Sequence, residues 1–170
     1  MRERNRVLIF LVVFIILTII LAYGSSVSLS QSEAQSLSQG VQAIPQTTLG
    51  IFRNNVQIAL IEFIPGFGPA YGAYITNTTG VVLAAISQAN PTARISGLES
   101  LVILMLTPIF WLEFFCYSLA IEESIAIIIS FVKRDFLTRE WKWLVGSVLT
   151  VVVVLFVSAR LEVTLINFLK

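Results

Sequence analysis

Long apolar runs separated by short polar segments dominate the chain. The first run extends from Val7 to Tyr23, and a helix of that length is just long enough to cross a hydrocarbon core about 30 Å thick. Further apolar runs cover residues 51–64, 70–87, 101–120 and 144–168. The pattern predicts an all-α protein, a polytopic transmembrane helix bundle with about five membrane segments.

Helix-breaking residues interrupt the second apolar region. Pro65, Gly66, Gly68 and Pro69 fall within five positions, and no regular helix continues through such a sequence. We therefore expect a broken hairpin, with one helix ending near residue 64 and another beginning near residue 70. Pro108 lies inside a later apolar run and is expected to kink that helix.

The first 50 residues divide into two predicted parts. Residues 1–24 form an N-terminal transmembrane anchor, although the small residues from Gly24 to Ser26 also fit a signal-peptidase site. Residues 25–50 form a polar extracytoplasmic segment, in which Ser30 and Glu33 have the spacing of a helix capping box. A helix beginning there would end before Pro45 and would place on one face Ala34, Leu37, Val41 and Ile44. A flexible polar loop is the alternative.

Basic residues suggest how the remaining part, a bundle over residues 51–170, crosses the membrane. Arg2, Arg4 and Arg6 precede the first run, and a second basic group lies beside Trp141 and Trp143: Lys133, Arg134, Arg139 and Lys142. Basic loops usually stay cytoplasmic. Five crossings of the plasma membrane satisfy this rule with the N-terminus inside and the C-terminus outside. Three crossings satisfy it equally if residues 51–87 form a re-entrant hairpin from outside.

Composition supports the membrane assignment and narrows the possible chemistry. Hydrophobic residues make up 56% of the chain and charged residues 12%, which is too apolar for an ordinary soluble domain. A formal net charge of +1 gives no sign of a nucleic-acid partner. With no histidine and one cysteine, Cys116, the chain lacks the usual Cys/His metal sites and histidine-based catalysis. We expect no metal, no cofactor and no catalytic residue.

Polar side chains inside the apolar runs are the candidates for a functional site. Ionisable groups in membrane helices cost about 2.5–3.5 kcal/mol each and usually face the bundle interior. The predicted intramembrane polar network comprises Asn54, Asn55, Glu62, Asn77, Glu113, Arg160 and Glu162. Arg160 and Glu162 lie near the outer end of the last helix, where the side chains can reach the interface.

Glu113 is the strongest of these candidates because apolar sequence surrounds it on both sides. Its simplest role is a structural one, in which the carboxylate bonds Arg160 or an amide on another helix. An ion-handling or catalytic carboxylate, or a contact with a partner subunit, is the alternative. Gly72, Ala73 and Gly80 are predicted to allow close approach of helices.

Three local patterns, in order along the chain, resemble those of one family. They are Asn54-Asn55 followed by Asn77 and Gly80, then Pro108 five positions before Glu113, and last the run Ala159-Arg160-Leu161-Glu162. Together they resemble motifs of the stage II sporulation protein M (SpoIIM-like) membrane proteins. Ile109 and Phe110 stand where that family has His-Gly, and Arg160 stands where a small residue is usual.

The resemblance implies a fold of about five crossings and a scaffold or assembly role without a substrate. We therefore expect a non-enzymatic membrane scaffold or accessory subunit, whose partners are the lipid bilayer and other membrane proteins or a second copy. The alternative is a small transporter or channel-like subunit, suggested by Glu62, Glu113 and the broken hairpin. An intramembrane enzyme would need a nucleophile or second carboxylate facing Glu113.

Overall fold

Seven helices and no strand make up the described part of the chain in the computed structural model. That part covers residues 3–42, 46–89, 95–133 and 140–168, without the side chains of residues 3, 41 and 42. The helices are α1 (Glu3–Ser25), α2 (Gln31–Gln42), α3 (Thr48–Glu62), α4 (Gly68–Ala89), α5 (Gly97–Met105), α6 (Pro108–Lys133) and α7 (Trp141–Phe168). Predictions that concern Arg2, the Val41 side chain, Ile44, Pro45, Arg134 and Arg139 lie outside the described residues.

Three of these helices are long and apolar enough to cross a membrane. They are α1, α6 and α7. Helix α3 has only 15 residues, which is about 22 Å, and α4 has 22 residues but carries Asn77 and several threonines. The all-α prediction is therefore confirmed, and the described residues contain three helices that are long and apolar enough to cross a membrane, rather than five.

Local capping explains where several helices begin. The Ser96 hydroxyl accepts from the Glu99 backbone N–H, and the Glu99 carboxylate accepts from the Ser96 N–H at 2.7 Å, so both halves of the capping box are present at α5. The same reciprocal pair joins Ser30 and Glu33 ahead of α2. The Ser96 backbone N–H, followed by its hydroxyl, holds the pKa of the Glu99 carboxyl below its ordinary value.

The predicted helix break at Pro108 is present, but Pro108 begins a new helix instead of kinking a continuous one. Helix α5 ends at Met105, and α6 starts at Pro108 after a break at residues 106 and 107. Proline is favoured in the first turn of a helix because its missing N–H has no partner there anyway. The Trp111 indole bridges the break by donating to the Met105 carbonyl at 2.8 Å.

The broken hairpin is present, and its five-residue turn at 63–67 lies two positions earlier than the expected turn at 65–69. Gly66 has a φ of 80°, a conformation that favours glycine, whereas Gly68 and Pro69 already belong to the first turn of α4. The Ile64 carbonyl accepts from the Gly68 N–H and from the Ser124 hydroxyl of α6, both at 2.8 Å. The turn is therefore attached to α6 near the end that leads to Lys133.

Small residues allow α4 to pack closely against α1 and α5. A Cβ added at Gly80 would overlap the Leu21 carbonyl oxygen and lie 2.8 Å from the Ser25 nitrogen. A Cβ added at Gly97 would lie 2.8 Å from the Ala84 Cα. Such backbone contact is typical of membrane helices that associate through glycine. It places α4 in the interior of the bundle.

Two apolar cores flank α6. One joins α1, α5 and α6 through Val13, Leu17, Leu21, Leu101, Phe110, Phe114 and Ile121. The other joins α3, α6 and α7 through Ala59, Phe63, Cys116, Ala120, Val151 and Leu155. In contrast, one face of α1 exposes Val7, Leu8, Leu11, Val12, Ile15, Ile16 and Ile19. An apolar surface of that length is suited to lipid or to another membrane helix.

Candidate functional site

Helix α6 carries carboxylates at two levels, a half-buried one at the first and two buried ones at the second. Glu113 lies in its second turn, and Glu122 and Glu123 lie nine and ten residues later. At about 1.5 Å per residue, the two levels are about 14 Å apart along the helix. Each level has its own partners on other helices, so the bundle contains two separate polar sites.

Glu113 forms the centre of the first site. Its Oε1 accepts from the Asn55 side-chain amide of α3 at 2.6 Å and from the Ser158 hydroxyl of α7 at 3.2 Å. The Asn54 amide in turn donates to the Asn55 side-chain oxygen at 3.2 Å. One carboxylate oxygen thus joins three helices, α3, α6 and α7.

Two cavities adjoin this carboxylate. The larger, of about 400 Å³, has apolar walls that include Ile51 and Ile58 of α3. Its polar lining includes Gln46, Asn54, Asn55 and Thr78. The smaller, of about 130 Å³, has an aromatic wall formed by Phe110, Phe114 and Tyr117. Four residues line both cavities: Ile75, Thr79, Glu113 and Glu162. We call this region the Glu113–Glu162 site.

The site is rich in acceptors. Among the described residues, no donor bonds the second oxygen of Glu113 or either oxygen of Glu162. Neither cavity has lysine or arginine in its lining. Two carboxylates therefore face the same space without a described basic side chain beside them, an arrangement that favours a positively charged occupant.

The other predicted members of the network lie elsewhere. The Arg160 side chain is exposed, and no described hydrogen bond or ion pair joins it to Glu113. The Glu113 carboxylate instead bonds an amide, the other partner expected from the sequence. Asn77 is half-buried in the middle of α4, and no described side-chain bond connects it to the site.

Glu62 is buried apart from both polar levels. Glu62 lies at the end of α3 and is 1% exposed, and its Oε2 has no hydrogen-bond partner among the described residues. A Cβ at Gly72 would lie 3.1 Å from the Glu62 Oε1, so the absence of a side chain at Gly72 makes room for this carboxyl. Gly72 was predicted to allow close packing, and one of the groups that packs against it is the Glu62 carboxyl.

The second polar site, which we call the Arg6 cluster, surrounds an arginine that is 7% exposed. One terminal nitrogen of Arg6 contacts Glu123 at 2.7 Å and Glu122 at 3.2 Å. The other terminal nitrogen bonds Glu140, just before α7. One guanidinium thereby joins α1, α6 and the segment that leads into α7.

Two further contacts complete the Arg6 cluster. The guanidinium carbon lies 5.1 Å from the centre of the Trp143 ring, within the range of a cation–π interaction. The Ser147 hydroxyl of α7 donates to the Glu123 Oε1 at 2.7 Å. The charges are therefore held by hydrogen bonds as well as by their mutual attraction.

The sequence did not single out the Arg6 cluster. Arg6 counted as one of several cytoplasmic basic residues, and Glu122 and Glu123 marked only the far part of a long apolar run. The available signal was the apolar sequence that continues from Ser124 to Val132, with only small or apolar side chains. It indicated that both carboxylates lie within a buried helix and need a cationic partner.

The described residues contain neither a cluster of metal ligands nor an exposed thiol. No group of three or more His, Cys, Asp or Glu side chains in them is placed to hold a metal ion. Cys116 is buried against the Val151 carbonyl on α7. What the geometry offers is a charged connection between helices at one level and an acidic cavity at the other.

Comparison with known proteins adds no relative to this description. No protein-family model, no curated protein and no solved structure matches the chain.

Proposed function

We propose that the protein is a non-enzymatic integral membrane scaffold or accessory subunit of a membrane protein complex. The observation that carries the proposal is the Arg6 cluster. Its polar side chains connect α1, α6 and α7 to one another. Buried ionic groups of this kind can specify how elements are arranged, and a fixed arrangement of helices is what a scaffold requires.

The exposed apolar face of α1 supports the same role. Because α1 packs with its opposite face against α4, α5 and α6, residues such as Leu11, Ile15 and Ile19 remain available to lipid or to another helix. The expected partners are therefore the bilayer and another membrane protein or a second copy. The resemblance of the asparagine and Pro108–Glu113 patterns to SpoIIM-like proteins agrees with an assembly role.

We propose a topology in which the N-terminus is cytoplasmic and the C-terminus is outside the plasma membrane. Arg4, Lys133 and Lys142 lie at the end of the bundle that contains the Arg6 cluster, beside Trp141 and Trp143. Basic and tryptophan side chains favour a cytoplasmic interface. The Glu113–Glu162 site then opens near the outer surface.

The same topology makes α3 and α4 a hairpin that enters from outside and reaches the inner interface, for five membrane segments in all. Gly66 lies beside Ile128, which is 20 residues, about 30 Å, along α6 from Pro108. Pro65, Gly66 and Phe67 are exposed. An exposed irregular turn is stable where water can bond its backbone, so an interfacial position suits it better than lipid.

Affinity purification tests the scaffold role. The tagged chain is purified from its own membranes in mild detergent, beside the Arg6→Ala variant and the matched Arg4→Ala variant, whose arginine is exposed. We expect the wild type and Arg4→Ala to retain another membrane protein or an untagged copy, and Arg6→Ala to lose it. Repeated recovery of the wild-type chain alone, as a monomer, would contradict the proposal.

A second candidate function, a small transporter or channel-like subunit, is favoured by the acidic cavities. Carboxylates beside a cavity between helices are a common arrangement for cation passage. Cation flux into reconstituted liposomes tests it, with Glu113→Gln as the variant and Glu99→Gln, outside the cavities, as the control. Flux that is absent, or that is the same in Glu113→Gln, would exclude this use of the site.

A further inference from the structure

The Glu113–Glu162 site combines two carboxylates with apolar and aromatic walls. From this combination we infer that the site binds a small organic ammonium ion, with the cationic nitrogen between Glu113 and Glu162 and its apolar part against the cavity walls. The inference goes beyond a scaffold role, since it assigns a ligand to a site that the scaffold itself does not require. The inference is also independent of the second candidate function, since a binding site of this kind does not require that the ligand be transported.

The first argument is electrostatic. Glu113 and Glu162 are both half-buried, and a carboxylate that is partly removed from water is stabilised by a cation or by several donors. Glu162 has no described donor, and Glu113 has donors at one oxygen only. Since no described lysine or arginine lines the cavities, a cation from outside the chain is the simplest compensation. A primary ammonium group carries three N–H donors and can bond both carboxylates together.

The second argument is preorganisation. Asn55 and Ser158 hold the Glu113 Oε1 from α3 and α7, and Asn54 fixes the Asn55 amide in turn. Atoms of Glu113 line both cavities, and its Oε2 has no donor among the described residues. The carboxylate is thus oriented before any ligand arrives, which lowers the entropic cost of binding.

The third argument is the chemistry of the walls, which distinguishes an organic cation from a metal ion. Phe110, Phe114 and Tyr117 line the smaller cavity, and Ile51 and Ile58 the larger. Aromatic faces attract ammonium groups, and aliphatic walls favour an apolar substituent. The described residues contain no group of three metal-ligating acidic, His or Cys side chains, as a bare metal ion would prefer.

Two sources could supply this chemistry. One is a free amine from the outer solution, and the other is the headgroup of an aminophospholipid in the outer leaflet. Both present an ammonium group beside apolar atoms. The experiment therefore has one part that establishes ammonium binding and a second part that identifies the source.

Calorimetry on the purified full chain in lipid-free detergent provides the first part. The probe is butylammonium, and butanol is its uncharged counterpart. We expect saturable binding of butylammonium, no comparable binding of butanol, and binding about tenfold or more weaker in Glu162→Gln, because one desolvated charge pair is lost. Glu99→Gln is the matched control, since it removes an acidic charge outside both cavities and glutamine keeps the capping box.

Two results would overturn the inference. One is equal binding of butanol and butylammonium, and the other is unchanged butylammonium affinity in Glu162→Gln. Thermal unfolding of each variant checks that the comparison is between folded proteins. If Glu162→Gln does not fold, Glu113→Gln replaces it, because it removes the other carboxylate charge while the glutamine oxygen can still accept from Asn55 and Ser158. Butylammonium binding should then weaken while butanol binding stays unchanged.

The second part repeats the titration in nanodiscs with and without phosphatidylethanolamine. Competition by this lipid would support the inference with a lipid headgroup as ligand, and unchanged butylammonium affinity would support it with a free amine. Because binding is measured on the isolated chain, its loss would not bear on the scaffold role. Conversely, a chain that purifies without partners could still bind the ammonium ion.

Discussion

Single residues in this bundle differ in whether their charge has a partner. Arg6 and Glu123 are both buried, yet each reaches the other and at least one further polar group. Glu62 is equally buried, but its Oε2 has no described donor. A buried glutamate is therefore expected to add to the free energy of unfolding at Glu123, which has partners, and to lower it at Glu62. Substitutions at the two sites can test this difference.

Arg6→Ala should strongly destabilise the protein. The substitution leaves Glu122 and Glu123 buried without the guanidinium, and removing one partner of a buried pair typically costs about 3–5 kcal/mol. Denaturation in a mixture of mild detergent and dodecyl sulfate measures the change. Arg4→Ala, on an exposed position of the same helix, should unfold as the wild type does. Equal stability of the two variants would show that the Arg6 cluster contributes little to the free energy of unfolding.

Glu62→Met should leave the free energy of unfolding unchanged or raise it by about 1–3 kcal/mol. Methionine has a similar shape and removes a buried polar atom that lacks a described partner. The same denaturation assay measures it, with Glu113→Met as the comparison, because that change also removes the contacts to Asn55 and Ser158. A large loss of stability in Glu62→Met would mean that Glu62 contacts a group outside the described residues.

At the scale of elements, the hydrophobic pattern predicted the helices well. The helix expected at 70–87 is observed at Gly68–Ala89, and the last helix, expected at 144–168, is observed at Trp141–Phe168. Pro108 is the exception. A proline in an apolar run is compatible with a kink or with a new first turn, and the contacts of Trp111 and Thr107 that support the new start are not visible in the pattern.

The close approach of α1 and α4 gives a prediction at this scale. Gly80→Leu should destabilise the bundle, because even a Cβ there would overlap backbone atoms of α1. Backbone cannot move aside as a flexible side chain can, so the two helices would have to separate. Gly146→Leu on α7 is the control, since nothing lies within 4 Å of a Cβ at that position.

Thermal unfolding in detergent should therefore show a clear loss of stability for Gly80→Leu and little change for Gly146→Leu. Leucine is a better helix former than glycine, so the control should not lose stability through its helix. A Gly80→Leu protein as stable as the control would mean that α1 and α4 do not touch as described.

At the scale of the whole molecule, the α3–α4 hairpin decides the number of membrane segments. Charge placement allows five crossings and equally a re-entrant hairpin, because both leave the same residues on each side. The attachment of the turn to Ser124 and Ile128 favours a hairpin that reaches the inner interface. Accessibility of the turn therefore distinguishes the two topologies.

Cysteine labelling measures that accessibility. In a Cys116→Ala background, we expect a membrane-impermeant maleimide to label Ser26→Cys in intact cells, and to label Lys142→Cys and Phe67→Cys only after permeabilisation. All three positions are exposed. Labelling of Phe67→Cys from outside, or no labelling under either condition, would contradict the five-segment topology and favour a re-entrant hairpin.

The sequence by itself determined the class of the protein, because apolar runs of this length have no stable place in water and can satisfy their backbone in lipid only as helices. It also identified Glu113 and an amide as candidate partners. Only the tertiary structure decided that the amide is Asn55, that Glu162 shares its cavities and that Arg160 faces outward. The reason is that helix rotation and register, which determine the neighbours of a side chain, depend on packing between elements far apart in the chain.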